Sequence, residues 1–426
     1  PSAPSPAAPA QDRITLEEAI HRAQANEPNF AMARADAKIT ALDRSITRAA
    51  LLPNVIYHNQ YLYTQGTGAT ITVPGSSTST SAVVFIANNA VHEYISQASV
   101  TETIGLRGLA ALQLANATAA RSRAELEISR RGLVATVVGM YYAVAANEHK
   151  VAVAERAAAE ATGFVDLTQK RESARESAHA DVVKAQLQQL QRERDLADAR
   201  LAAEKSRLDL GVLMFPDPRT PYLTERPTTL APLPARADVE RLASAHYPEL
   251  QSALASLRMS NADVLGAEGA YLPDLSVNYS YGIDAAQFAV KDPHGLNNLG
   301  YSVAATLDIP VWDWLATPHR VKQQKIRREV SRIALTQTQR RQIALLDETY
   351  AEATEAQRQA ASLELSAETA AESLRLTKMR YTAGEATVLE VVDAQTALAL
   401  AENAREDGMM RYETALANLQ TLTGTL

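Results

Sequence analysis

Ala270-Tyr271-Leu272-Pro273-Asp274-Leu275-Ser276-Val277-Asn278-Tyr279-Ser280-Tyr281-Gly282-Ile283-Asp284 changes period at its proline. Before Pro273 the chain reads as a helix, which stops there because the proline ring crowds the preceding residue out of the helical region. Beyond it Leu275, Val277, Tyr279, Tyr281 and Ile283 alternate with Ser276, Asn278, Ser280, Gly282 and Asp284. Period two, apolar against polar, is the mark of a strand with two unlike faces. A second run follows, in which Tyr301, Val303, Ala305, Leu307 and Ile309 alternate with Ser302, Ala304, Thr306 and Asp308. Each run is about ten residues long, near what a tilted strand needs to cross a bilayer.

Working outward, the same grammar occurs earlier. Ala50-Leu51-Leu52-Pro53-Asn54 matches Ala270–Asp274, and Pro28 matches Pro248; 248 − 28 and 273 − 53 both give 220. Val55, Tyr57, Tyr61 and Tyr63, and then Tyr94, Ser96, Ala98 and Val100, form a less regular counterpart of the two strand runs. Further on, Leu167-Thr168 through Asp181-Val182-Val183-Lys184-Ala185-Gln186 aligns with Leu376-Thr377 through Glu390-Val391-Val392-Asp393-Ala394-Gln395 at an offset of 209. The chain is therefore read as a duplicated unit. The expected organisation is a disordered segment 1–11, a first repeat 12–214 with a β-hairpin at 54–104, a linker 215–235, and a second repeat 236–426 with a β-hairpin at 274–309. The linker carries Pro216, Pro218, Pro221, Pro227, Pro232 and Pro234.

Residues 107–173 and 319–381 contain almost no Gly or Pro. Helices of that length reach on the order of 100 Å. Ile326, Val330 and Ile333, then Leu345, Leu346 and Tyr350, recur at three- and four-residue spacing, as in coiled coils. The loop of the first hairpin, 66–90, is long and rich in Gly, Ser and Thr, whereas that of the second, 286–299, is shorter. Long polar loops on one side are a feature of outer-membrane barrels.

Composition removes several function classes. The 426 residues include no cysteine, which excludes disulfides, thiolate nucleophiles and Cys-ligated metals. The formal net charge of −7 gives no basic surplus for phosphates, so no nucleic-acid partner is expected. Aromatic residues make up only 5% against 46% hydrophobic, a balance of long Ala-rich helices rather than of an aromatic globular core. No apolar run of transmembrane-helix length occurs. The opening, Pro1 to Ala10 without an initiator Met, reads as a mature chain whose signal was removed.

Four strands cannot close a barrel, and an open sheet in lipid leaves two bare edges at several kcal/mol per unpaired group. Several chains must share one barrel. Two chains would give eight strands, whose interior side chains fill; three would give twelve. Here the sequence resembles the TolC-type outer-membrane efflux proteins, from Ile14-Thr15-Leu16-Glu17-Glu18-Ala19 to Leu422-Thr423-Gly424-Thr425. The resemblance rests on the paired prolines, on Ile309-Pro310-Val311-Trp312-Asp313, and on Tyr381-Thr382-Ala383-Gly384 through Gln395. It implies a mainly α fold with a membrane β-barrel portion, long coiled-coil helical hairpins plus four strands per chain. It further implies a homotrimer in the outer membrane of a Gram-negative bacterium, with twelve strands in its barrel and its helical part in the periplasm. Such a duct passively conducts substrates handed over by a periplasmic adaptor and an inner-membrane pump, with no catalytic residues and no cofactor.

The resemblance also assigns candidate sites. Glu390 and Asp393, three apart on one helix face, match acidic positions at the narrow periplasmic mouth. Three copies would bring the pair's carboxylates to one constriction, attractive to cations. From the residues alone they read first as two solvated acids on a coiled-coil face, and the resemblance is what points to the mouth. Tyr381 matches a position that ties neighbouring coiled coils together, with Asp181 its partner from the first repeat; the alternative is an ordinary buried tyrosine. The first repeat departs from the pattern, with Glu172, Arg175 and Lys184 where the second has Tyr381, Gly384 and Asp393. Trp312 and Trp314 are expected at the membrane boundary, as anchors or as packing at a strand-to-helix turn. Tyr57, Tyr61, Tyr63, Tyr94, Tyr279, Tyr281 and Tyr301 are expected on the barrel's lipid surface, with some turned into the lumen. The eight scattered histidines, among them His179 and His246, read as surface residues. The rival to the duct is a soluble periplasmic coiled-coil adaptor, which the two clean strand runs oppose. An enzyme would need convergent acid and base groups, and the sequence offers none.

Overall fold

The computed structural model describes residues 12–64, 68–72, 79–83, 92–225, 231–245 and 247–426. The segment 1–11, His246 and most of the loop 66–90 lie outside the described residues. In chain order the first half runs β1 (Asp12–Ile14), α1 (Leu16–Asn26), α2 (Pro28–Ala49), β2 (Asn54–Tyr63), β3 (Gly68–Thr72), β4 (Ser79–Val83), β5 (His92–Ile104), α3 (Leu106–Ser173) and α4 (His179–Met214). It continues with β6 (Tyr222–Thr224), α5 (Arg236–Ala245), α6 (Pro248–Gly269), β7 (Asp274–Ala285), β8 (Leu299–Asp308), α7 (Ala316–Thr382) and α8 (Val388–Thr423). The chain divides into two compact units, one of Ala37–Arg121 with Ala253–Leu335, the other of Ser122–Ser252 and Thr336–Leu426 with the residues up to Asp36.

The first unit holds the main sheet, four antiparallel strands in the order β2-β5-β7-β8. Pro53 and Pro273 stop α2 and α6 alike, through tight turns in which Leu52 N–H donates to Ala49 C=O and Leu272 N–H to Gly269 C=O. The register decides which side chains share a face. Tyr281 lies opposite Tyr301 and Ala98, and Ala98 opposite Tyr57. Tyr61 lies opposite Tyr94, and Tyr279 opposite Val303 and Val100. Because side chains alternate across a strand, Leu275, Val277, Ile283, Leu299, Leu307, Val55 and Ile104 join the tyrosines on that face. All seven tyrosines share it, so the expectation that they divide between the two faces is corrected: Tyr57, Tyr61 and Tyr63 are spaced by even numbers, and Tyr94 pairs directly with Tyr61. Ser276, Asn278, Ser280, Asp284, Thr101, Thr103, Gln97, Ser302 and Thr306 occupy the other face. Strands β2 and β8 each have one neighbour, so each presents an unpaired main-chain edge. In the loop 66–90, β3 and β4 pair as a small antiparallel hairpin.

The second unit is helical. Its core gathers Leu133, Val137, Tyr141 and Val144 of α3, Leu210 and Met214 of α4, and Ile14 and Tyr222 of the short strands. Strand β6 lies within the Pro-rich stretch 215–235 and pairs in parallel with β1, Ile14 opposite Thr224. The Tyr141 hydroxyl fastens this pair, donating to Ile14 C=O at 2.8 Å and accepting from Glu225 N–H at 2.9 Å. Burial, the largest influence, pushes the Tyr141 pKa up to about 12, so it remains a donor at neutral pH. Helices α7 and α8 meet through Ala353, Ala356 and Ala360 against Tyr412, Ala415 and Leu416. Small residues there let the two backbones approach, which is why so Ala-rich a chain can still build a core. At Gly408 an added Cβ would lie 2.5 Å from Leu363 Cδ1, so a larger residue there would have to displace that leucine methyl. No helix among the described residues is long and apolar enough to cross a membrane.

Candidate functional site

The residues singled out by sequence cluster where the long helices turn back. The α3–α4 turn spans 174–178 and the α7–α8 turn 383–387, and the 209-residue offset places them in register. Both helices end the same way. Glu176 N–H donates to Arg171 C=O and Glu385 N–H to Arg380 C=O, each at 2.8 Å. This six-to-one closure needs a left-handed residue just past the helix, normally glycine. Gly384 fills it at φ 81 in the second half, and Arg175 at φ 63 in the first.

The next helices start differently. Thr387 caps α8, its Oγ1 accepting from Glu390 N–H at 3.3 Å while Glu390 Oε1 accepts from Thr387 N–H at 3.1 Å. This reciprocal capping box satisfies main-chain donors that a helix start leaves open. The equivalent residue before α4 is Ala178, which has no side chain to cap with. Glu390 is thus committed on both oxygens, because its Oε2 accepts from Arg380 at 3.4 Å. The Thr387 backbone N–H, then its hydroxyl, hold the Glu390 carboxyl below its usual range. Asp393 is different: it is exposed and makes no hydrogen bond or ion pair among the described residues. Lys184, its counterpart on α4, is likewise exposed.

Tyr381 is buried, 4% exposed, in the cluster that joins the two hairpins: Phe164 and Val165 of α3, Ala185 of α4, Leu374 of α7, and Val388 and Val391 of α8. Its ring meets Phe164 edge-on at 5.2 Å and lies under the Arg171 guanidinium at 4.8 Å. Arg171 also donates to the Tyr381 carbonyl. Burial, chiefly, raises the Tyr381 pKa, with Asp181 adding to the shift and Arg171 opposing it. Tyr381 and Asp181 are therefore neighbours without a direct hydrogen bond; the Ser177 hydroxyl donates to Asp181 at 3.3 Å instead. Sequence reasoning misses Arg171 as the residue that grips Tyr381, and Thr387 as the cap. The Thr387-x-x-Glu390 spacing is a readable signal, but nothing local marks Arg171. His179 is exposed and pairs with Glu172 at 2.8 Å.

In the unit that carries the sheet, Trp312 and Trp314 follow β8, exposed and edge-to-face at 5.9 Å. Trp314 and Leu315 take left-handed φ of 56 and 66 in the turn before α7 begins. Aromatic rings also gather at the far ends of the strands: Tyr61 lies 4.9 Å from Tyr94, and Tyr94 lies 6.3 Å from Phe288. Among the described residues no group of three or more His, Cys, Asp or Glu is arranged to hold a metal ion.

Known proteins share this architecture. Residues 240–425 match the sequence profile of the outer membrane efflux proteins. Outer membrane protein OprJ of Pseudomonas aeruginosa is 27% identical over 172 residues, which cover 40% of this chain and 36% of OprJ. The matched stretch thus spans about a third of that relative's length. A membrane protein from Pseudomonas aeruginosa superposes with a TM-score of 0.81 over 99% of this chain and 96% of its own, at 20% identity. The outer membrane protein VceC of Vibrio cholerae gives 0.80 over 96% of each chain, at 16% identity. These likenesses extend the fold to the first half, where the profile does not reach. Over residues 240–425 the chain is thus similar to the outer membrane efflux proteins, and nearly its whole length shares the fold of the solved membrane proteins above.

Proposed function

We propose that this chain is one protomer of a trimeric exit duct in the outer membrane of a Gram-negative bacterium. The observation that carries the reading is the sheet: four lipid-length strands, mainly apolar and aromatic on one face, mainly polar on the other, with both edges unpaired. In lipid such edges must be closed. Three copies joined β2 to β8 make a twelve-stranded barrel with its polar face inward. The aromatic rings at the strand ends and the Trp312–Trp314 pair would then sit at the two membrane boundaries. The long helices would continue the wall into the periplasm. Substrates would arrive from an inner-membrane pump through a periplasmic adaptor that engages the helical ends.

Within this reading Asp393, free of partners, is the carboxylate that three copies would present to the narrow mouth, and Glu390 serves mainly to cap α8. Tyr381, held by Arg171 and Phe164 with Asp181 beside it, would fasten the two hairpins of each copy together. The test is extraction and mass. The protein should fractionate with the outer membrane, require detergent, and run as a trimer by light scattering after subtraction of detergent. A folded monomer stable in buffer without detergent would overturn the proposal.

A further inference from the structure

The strand ends farthest from the long helices carry two acids that the duct reading leaves unused. Glu93 of β5 lies opposite Leu62 of β2, and Asp284 of β7 lies opposite Ile95 of β5. Alternation along β5 sets Glu93 and Asp284 on one face, the polar face that also carries Gln97 and Ser280. They are diagonal neighbours across the β5–β7 pair, and a hydrogen bond joins their carboxyls. Gln97 Nε2 holds Asp284 from the other side, donating to its Oδ2 at 3.4 Å. Glu93 is only 3% exposed, and its Oε2 has no hydrogen-bond partner. Thr64 follows the Tyr63–His92 pair that ends the β2–β5 register, so the same alternation brings it to the Glu93 face. It is 5% exposed, and its Oγ1 also has no partner. Among the described residues no Lys, Arg or His forms an ion pair with either acid.

We infer that Glu93, Asp284 and Thr64 hold a hard divalent cation, calcium by their chemistry, on the polar face of the sheet. Two carboxyls in contact need either a shared proton or a cation between them, since like charges so close oppose each other's ionisation. A shared proton would link the carboxyls but leave Glu93 Oε2 and Thr64 Oγ1 buried without partners, which is costly. One cation draws in all of these oxygens at once. Every donor is oxygen, which suits calcium or magnesium better than softer metals. Calcium is favoured, because its shell is large and flexible, whereas magnesium demands a tight octahedron. Two acids and a hydroxyl fall short of a closed cage, so water completes the shell. The site is complete within one chain, where it ties edge strand β2 to β5 and β7, and it does not depend on the trimeric reading above.

The test uses the full-length protein in detergent, stripped with EDTA and carrying Asp393→Asn so that the helical mouth adds no cation site. Calcium chloride is titrated into it by calorimetry. One ion per chain is expected, with a dissociation constant of about 0.1–1 mM, as in exterior calcium modules. Asp284→Asn and Glu93→Gln should each weaken binding at least ten-fold, and Thr64→Val several-fold. Asp284 is exposed, so its variant reads the site even where Glu93→Gln fails to fold. Absence of calcium binding, or binding unchanged in Asp284→Asn, overturns the inference and leaves the shared proton in its place. The mass of the particle, trimer or monomer, reports separately on the duct.

Discussion

Arg175 and Gly384 stand at the same place in the two halves of the chain, each the left-handed residue that ends a long helix. Around them the hairpin ends diverge. The α7–α8 end has glycine where positive φ is wanted, a capping box from Thr387 and Glu390, and a Tyr381 that carries the joint core. The α3–α4 end has an arginine in that conformation, Ala178 as a silent cap, and Glu172 in place of the tyrosine. One backbone path is thus held by two different sets of interactions. The second end supplies its own local stability, whereas the first borrows some through Arg171, which reaches across to Tyr381.

Substitutions can break this contrast or sharpen it. The largest effect is expected at Tyr381. Its replacement by Ala empties the buried slot against Phe164 and should cost about 3–5 kcal/mol in chemical denaturation; the matching Glu172→Ala should cost less than about 1 kcal/mol, since it loses only an exposed pair with His179. Next come the left-handed positions. Gly384→Ala should destabilise by about 1–2 kcal/mol, whereas Arg175→Gly should stabilise by up to about 1 kcal/mol, with opposite signs of the melting shift at equivalent sites. Last are the caps. Thr387→Ala should cost about 1 kcal/mol, and Ala178→Ser should return a similar or smaller amount. Hydrogen exchange in the first turns of α4 and α8 would resolve which end each change loosens. Equal effects at both ends would erase the asymmetry.

Much of this architecture is legible in the amino-acid sequence. The runs 275–283 and 301–308 fall in β7 and β8, Ile309 lying just past the strand, and 107–173 and 319–381 correspond to α3 and α7 with ends displaced by only a few residues. Period two and period 3.6 are local and strong over such lengths. The first hairpin's irregular alternation conceals a simple fact, that its tyrosines share the apolar face, because face assignment needs the register with β5 and β7. Strand β6 cannot be read at all: three residues amid prolines owe their conformation to β1, some two hundred positions away. At the candidate site, Tyr381 and Asp393 are singled out by the resemblance to the efflux proteins and not by the duplication, which has Glu172 and Lys184 in their places. Glu390 reads as a pore charge through the same resemblance, and the threonine three residues before it is the local signal of its part in the cap of α8. Arg171 is out of reach of sequence, since its work depends on α3 and α7 lying side by side.

The most direct test of the duct is single-channel conductance of the detergent-extracted protein in a planar lipid bilayer, compared with Asp393→Asn. A pore is predicted to insert as discrete, cation-selective steps, with selectivity reduced by Asp393→Asn and little changed by Glu390→Gln. Absence of any conductance from a folded, membrane-extracted trimer would contradict the duct itself. Unaltered selectivity in Asp393→Asn would remove that carboxylate from the mouth.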